Sequence, residues 1–154
     1  MSYRLTLLGE RIKKLIIAFA IGIVASILGL WIGFNDRYIF ELSGAWKIFA
    51  GWFPIIIIIL EIITSNSDKR YAKLMSKHKV TESLINDVII CSIIILLTAF
   101  LLFIHGLWVT PPTEWTFICT TFAIATVCIL IQVSLQIFKV SKHIAQAESD
   151  HKEE

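Results

Sequence analysis

Residues 15–34 read LIIAFAIGIVASILGLWIGF, twenty positions without a single charge. A helix rises 1.5 Å per residue, so a run of about 20 apolar residues matches the ~30 Å hydrocarbon core of a bilayer. Three further runs repeat the signal, at 46–64, 84–104 and 116–138. They take up most of the 154 residues, and 56% of the chain is hydrophobic. The expected fold is all-α: a polytopic membrane protein whose four transmembrane helices form an antiparallel bundle over residues 1–144. A solvated tail follows over 145–154, where Glu148, Asp150, Glu153 and Glu154 concentrate.

The basic residues set the expected orientation. Arg4, Arg11, Lys13 and Lys14 precede the first span, and Lys69, Arg70, Lys73, Lys77 and Lys79 lie between the second and third. Lys139, Lys142 and Lys152 follow the fourth span, whereas only Arg37 and Lys47 lie between the first and second. Twelve against two, over short loops, places both termini and the middle loop on the cytoplasmic side. The tryptophans agree. Trp31, Trp46, Trp52, Trp108 and Trp115 all fall toward the opposite end of their spans, where an indole buries its ring and keeps its N–H among headgroups. Localisation in a bacterial inner membrane is the matching expectation. Ala18-Phe19-Ala20 resembles a signal cleavage site but follows Lys14 too closely to leave a full apolar segment, so the first span reads as a retained anchor.

Between the spans the sequence is less regular. Residues 1–14 mix Leu5, Leu7, Leu8 and Ile12 with basic residues and read as a helix on the inner leaflet or an inward extension of span one. Asn35–Ala45, with Tyr38, Ile39, Phe40 and Leu42, reads as a loop lying in the interface. Pro54 removes a backbone donor from span two. Pro111-Pro112 followed by Thr113 as N-cap and Glu114 in the first turn makes a tight hairpin between spans three and four.

The middle loop, residues 65–83, is different in kind. From Asp68 to Val80 the residues Tyr71, Leu74, Met75 and His78 recur at helical spacing between Lys69, Arg70, Lys73 and Lys77. A short basic amphipathic helix of this type rests on anionic lipid, each basic residue contributing about 1 kcal/mol near the surface. It can also dock an acidic cytosolic protein. Direct nucleic-acid binding is disfavoured, because no binding module or interleaved aromatic pattern accompanies the charge.

Within the spans, two kinds of residue carry information. Span one holds Ala18, Gly22, Ser26, Gly29 and Gly33 on one helical face, a stripe that lets two backbones approach closely in lipid. Packing inside one chain and packing between copies both account for it, and homo-oligomerisation is the expectation attached to Gly22, Ser26, Gly29 and Gly33. Ionisable and amide residues in spans are costly and mark candidate sites. Span three carries Asp87, Cys91, Thr98 and His105 on one face, span four carries Thr121, Gln132 and Gln136, and span two carries Glu61. Glu61, Asp87, Gln132 and Gln136 share the cytoplasmic end and suggest a polar vestibule, with Glu61 and Asp87 hydrated there or pairing to Lys69, Arg70 or the basic N-terminus. His105 reads as an interfacial residue at the outer end.

The pattern excludes more chemistry than it names. Proton-coupled transport calls for a carboxylate near the midplane, and span one has no acid, unlike the small multidrug exporters. No zinc-binding His-Glu-x-x-His helix and no Gly-x-Ser-x-Gly elbow is present. Cys91, Cys119 and Cys128 lie inside spans without metal spacing. No enzymatic activity, cofactor or metal is expected. A non-enzymatic sensor or scaffold with a cytosolic partner is the leading expectation. The alternative is an oligomeric pore, holin-like in format, lined by Thr98, Thr121, Gln132 and Gln136.

In size, span count and basic middle loop the chain resembles the small membrane subunits of bacterial phage-defence systems of the Kiwa type. That likeness implies assembly in the bilayer alongside a cytosolic nucleic-acid-binding partner. Four-span bacteriocin-immunity proteins are similar in layout too. Neither likeness rests on a motif, so neither carries a functional residue over.

Overall fold

Every described element of the computed structural model is a helix, across residues 2–33, 36–65 and 80–150. The order is α1 Ser2–Ile32, α2 Asp36–Gly44, α3 Trp46–Ser65, α4 Val80–Gly106 and α5 Thr113–Asp150. Four stretches are long and apolar enough to cross a membrane: Gly9–Ile32, Glu41–Ile59, Ser83–Gly106 and Thr113–Lys139. Large apolar side chains such as Ile16, Val24, Ile58, Ile93 and Phe138 stay exposed on the outside of the bundle. A water-soluble protein does not carry so much uncovered apolar surface, whereas lipid accepts it. The chain is a multi-pass membrane protein.

The helices pack in the spatial order α1, α5, α4, α3, each antiparallel to its neighbour, with α2 lying against α4 and the start of α3. Helices α4 and α5 therefore form the middle of the bundle. On α4 the buried positions are Leu84, Val88, Cys91, Ile95, Thr98, Leu102 and His105, alternating four and three residues apart. A 3.5-residue repeat of this kind keeps one seam facing its neighbours over the whole helix. Helix α1 buries a narrower face, led by Ala18, Gly22 and Ser26. A Cβ on Gly22 would stand 2.5 Å from the Thr121 backbone oxygen, so glycine is required for the α1–α5 approach. Phe19 and Phe122 meet edge to face across the same interface (centroids 5.2 Å apart), and Trp46 meets Phe103 likewise between α3 and α4 (5.6 Å).

One segment differs from the sequence expectation. Residues 36–44 form α2 rather than an interfacial loop, because Tyr38 and Leu42, one turn apart, pack into the core. Residues 2–14 continue α1 without a break, the inward extension of span one that is one of the two readings of this segment. Helix α5 runs on to Asp150, over a stretch rich in Ala, Gln, Glu and Lys with no Gly or Pro. Gly33 also has a role the stripe did not suggest. It adopts φ +87°, donates its N–H to Gly29 O at 2.9 Å and ends α1 as a left-handed cap.

Candidate functional site

Helix α5 organises the polar interior. Thr116, Thr120, Thr121 and Thr126 each direct their hydroxyl proton to a carbonyl one turn back, Pro112 O (3.3 Å), Thr116 O (2.8 Å), Phe117 O (2.9 Å) and Phe122 O (2.7 Å). With its proton engaged, each threonine oxygen is left as an acceptor, and each accepts from another helix. Ser26 of α1 donates to Thr121 (2.9 Å) and Tyr38 of α2 donates to Thr120 (2.9 Å). From α4, Thr98 donates to Thr126 (2.7 Å) and His105 Nε2 donates to Thr116 (3.2 Å). Four threonines thus tie three other helices to one.

This arrangement decides where the expected pore-lining groups stand. Thr98 is 0% exposed and Thr121 7%, both engaged inside a single chain. His105, expected at the interface, is instead 0% exposed and faces Thr116 across the α4–α5 hairpin. Its Nδ1 and the nearby Trp115 Nε1 are buried and find no partner among the described residues.

At the opposite end of the bundle, where α1 and α4 begin and the apolar part of α5 ends, a second polar group forms. Arg11 Nε approaches Asp87 Oδ1 at 2.6 Å, an ion pair rather than an aligned hydrogen bond. Arg11 Nη2 donates to Ser83 O (2.9 Å) and Ser83 Oγ (3.1 Å), fixing the guanidinium on the first turns of α4. Gln136 links the remaining charges. With its amide oriented so that both neighbours are satisfied, its nitrogen donates to Asp87 Oδ2 at 3.0 Å and its oxygen accepts from Lys14 Nζ. Arg11, Lys14, Asp87 and Gln136 line a small open cleft together with Gln132 and the apolar side chains of Leu15, Ile90, Ile129 and Val133.

Of the expected vestibule, Asp87, Gln132 and Gln136 come together, whereas Glu61 stands on the exposed side of α3 and is not part of the cleft. Arg11 supplies the counter-charge to Asp87. Of the small-residue stripe, Gly22 and Ser26 are buried against α5, Gly29 is half-buried and Gly33 is exposed. Lys69, Arg70, Lys73, Lys77 and Lys79 lie outside the described residues. Among the described residues no cluster of His, Cys, Asp or Glu has metal-binding geometry.

Sequence reasoning singled out Thr98 and Thr121 but passed over Thr116, Thr120, Thr126 and Tyr38. Four threonines within eleven residues of an apolar span were the available signal. Comparison of the chain with protein-family models, with curated proteins and with solved structures finds no match.

Proposed function

We propose that the chain is a non-catalytic membrane scaffold or sensor that anchors a cytosolic protein through its basic segment Lys69–Lys79. The observation that carries this reading is the disposition of the intramembrane polar groups. Those of the middle and outer layers are engaged between helices, which leaves them as structural ties rather than the lining of a path. The remaining polarity collects at the end where residues 66–79 join α3 to α4. By the charge asymmetry that end faces the cytoplasm, in a bacterial inner membrane. The phage-defence layout is the setting in which such an anchor fits.

Self-association belongs to the same proposal, through a surface other than Gly22 and Ser26, which the chain itself covers. The burial of Thr98 and Thr121 weighs against the pore alternative. Signalling would run through the ties: a displacement of α1 along α5 alters the Ser26–Thr121 contact and the position of Arg11 and Lys14 together.

The test has two parts. Native mass spectrometry of the complex, extracted from its own host, is expected to find a soluble protein in fixed stoichiometry with the chain. Reversing Lys69, Arg70, Lys73 and Lys77 to Glu is expected to remove that protein while ion flux through liposomes stays at background. A closed homo-oligomer without a partner, conducting ions whether or not the loop is reversed, would overturn the scaffold reading.

A further inference from the structure

The cleft between α1, α4 and α5 has a polarity graded along the helix axes. The charged groups Arg11, Lys14 and Asp87 line its membrane-surface end, the rim, together with Gln136, and Leu15 follows Lys14 directly; Ile90 and Val133 stand one turn deeper than Asp87 and Gln136, with Gln132 beside Val133 and Ile129 a turn beyond it. Its ionisable rim groups are two cations and one carboxylate. Among the described residues Asp87 neutralises Arg11, while Lys14 meets the neutral Gln136 amide, oriented with its oxygen toward Nζ. One positive charge is left over. Glu10, on the turn before Lys14, is exposed and does not line the cleft. The rim residues also stand near the ends of the membrane-crossing stretches, Arg11 two residues inside Gly9 and Gln136 three residues before Lys139. That depth corresponds to the boundary between headgroups and acyl chains.

We propose that this cleft binds one anionic phospholipid, its phosphate at Lys14 and the outer side of Arg11 and the start of an acyl chain along Leu15, Ile129 and Val133. The charge and the gradient argue together. An isolated anion would be served by the rim but not by the apolar wall, and a neutral lipid would use the wall but leave the Lys14 charge unmatched. Basic pockets between transmembrane helices are the usual form of headgroup site. The Arg11–Asp87–Gln136 network makes the rim rigid before any ligand arrives, which lowers the ordering cost of binding. The inference is independent of the scaffold proposal, since it concerns lipid and not the basic loop.

The experiment is native mass spectrometry of the full chain released from nanodiscs containing equal amounts of phosphatidylglycerol and phosphatidylcholine with identical chains. The expected result is one retained phosphatidylglycerol per chain. Lys14→Gln is expected to reduce its retention about fivefold, the effect of about 1 kcal/mol for one basic residue, with helicity and thermal midpoint unchanged. Lys13→Gln is the control, because Lys13 is exposed and does not line the cleft. Equal retention of the two lipids would overturn the proposal. So would an equal loss in both lysine variants, which would mean diffuse surface attraction. Displacement of the lipid by millimolar inorganic phosphate would reassign the rim to a free phosphate and overturn the lipid assignment as well.

Discussion

Gly22→Ala tests the α1–α5 interface directly. The added methyl would sit 2.5 Å from Thr121 O, a backbone atom that cannot swing away, and ordinary contact begins at 3.4 Å. The helices must therefore separate by about 0.9 Å, the difference between those two distances. A shift of that size carries the 2.9 Å Ser26–Thr121 contact beyond about 3.6 Å, where it is no longer a hydrogen bond. Overpacking costs about 1–3 kcal/mol, and the lost interhelical bond adds about 0.6 kcal/mol in a membrane. The better helix propensity of alanine returns up to about 1 kcal/mol. The net expectation is a loss of about 0.6–2.6 kcal/mol, combining these terms. The assay is unfolding in mixed micelles of increasing SDS fraction, followed by circular dichroism and Trp fluorescence. Gly51→Ala is the matched control, since nothing lies within 4 Å of its Cβ position in α3; it should be neutral or mildly stabilising. A Gly22→Ala midpoint equal to that of Gly51→Ala would refute the close-approach argument. Gly22→Ala combined with Ser26→Ala should cost less than the sum of the two, because the first change has already broken the bond that the second removes.

Other outcomes follow from the same contacts. A double-mutant cycle of Thr98→Val and Thr126→Val should return a coupling of about 0.6 kcal/mol, and a value near zero would mean the 2.7 Å contact is incidental. Replacing Thr98 with Trp should lower the SDS midpoint sharply instead of blocking ion flux, because the residue is enclosed by one chain; a stable, flux-blocked variant would restore the pore reading. Asp87→Asn should destabilise more than the pair Arg11→Gln with Asp87→Asn, since it leaves the Arg11 charge without its partner. With the two side chains 18% and 14% exposed, the loss should fall below that of a fully buried pair, at about 2 kcal/mol. An equal midpoint for the single and double variants would count against the ion pair.

Much of this architecture was legible from the chain because its strongest determinants are local. An uncharged twenty-residue run declares a span on its own, and Gly22-xxx-Ser26 declares a close-packed face. What remained hidden was the identity of partners. The sequence left Asp87 with Lys69, Arg70 and the whole basic N-terminus as possible partners, and only the α1–α4 register selects Arg11. His105 looked like a headgroup-level residue because its neighbours in sequence are apolar and then aromatic. Thr116, the side chain that holds it, is eleven residues on and across a hairpin. Gly33 continued the stripe by spacing, yet its positive φ gives it a terminating role that helical periodicity does not report. The threonine ties were hardest to see. A threonine in a span satisfies itself against its own helix, and nothing in its spacing says which foreign hydroxyl will come to its remaining lone pair.

The central place of α5 has a consequence for how the protein is made. Helix α1 is synthesised well before α5, its main packing partner. Some 80 residues separate the end of α1 from the start of α5, and at roughly 5–20 residues per second translation needs on the order of 4–16 s to cover them. During that interval the first span waits in the bilayer with its small-residue face open and Ser26 without Thr121. Ribosome stalling or truncation before Thr113 would prolong the wait indefinitely and leave that face to whatever neighbouring helix the insertion machinery provides.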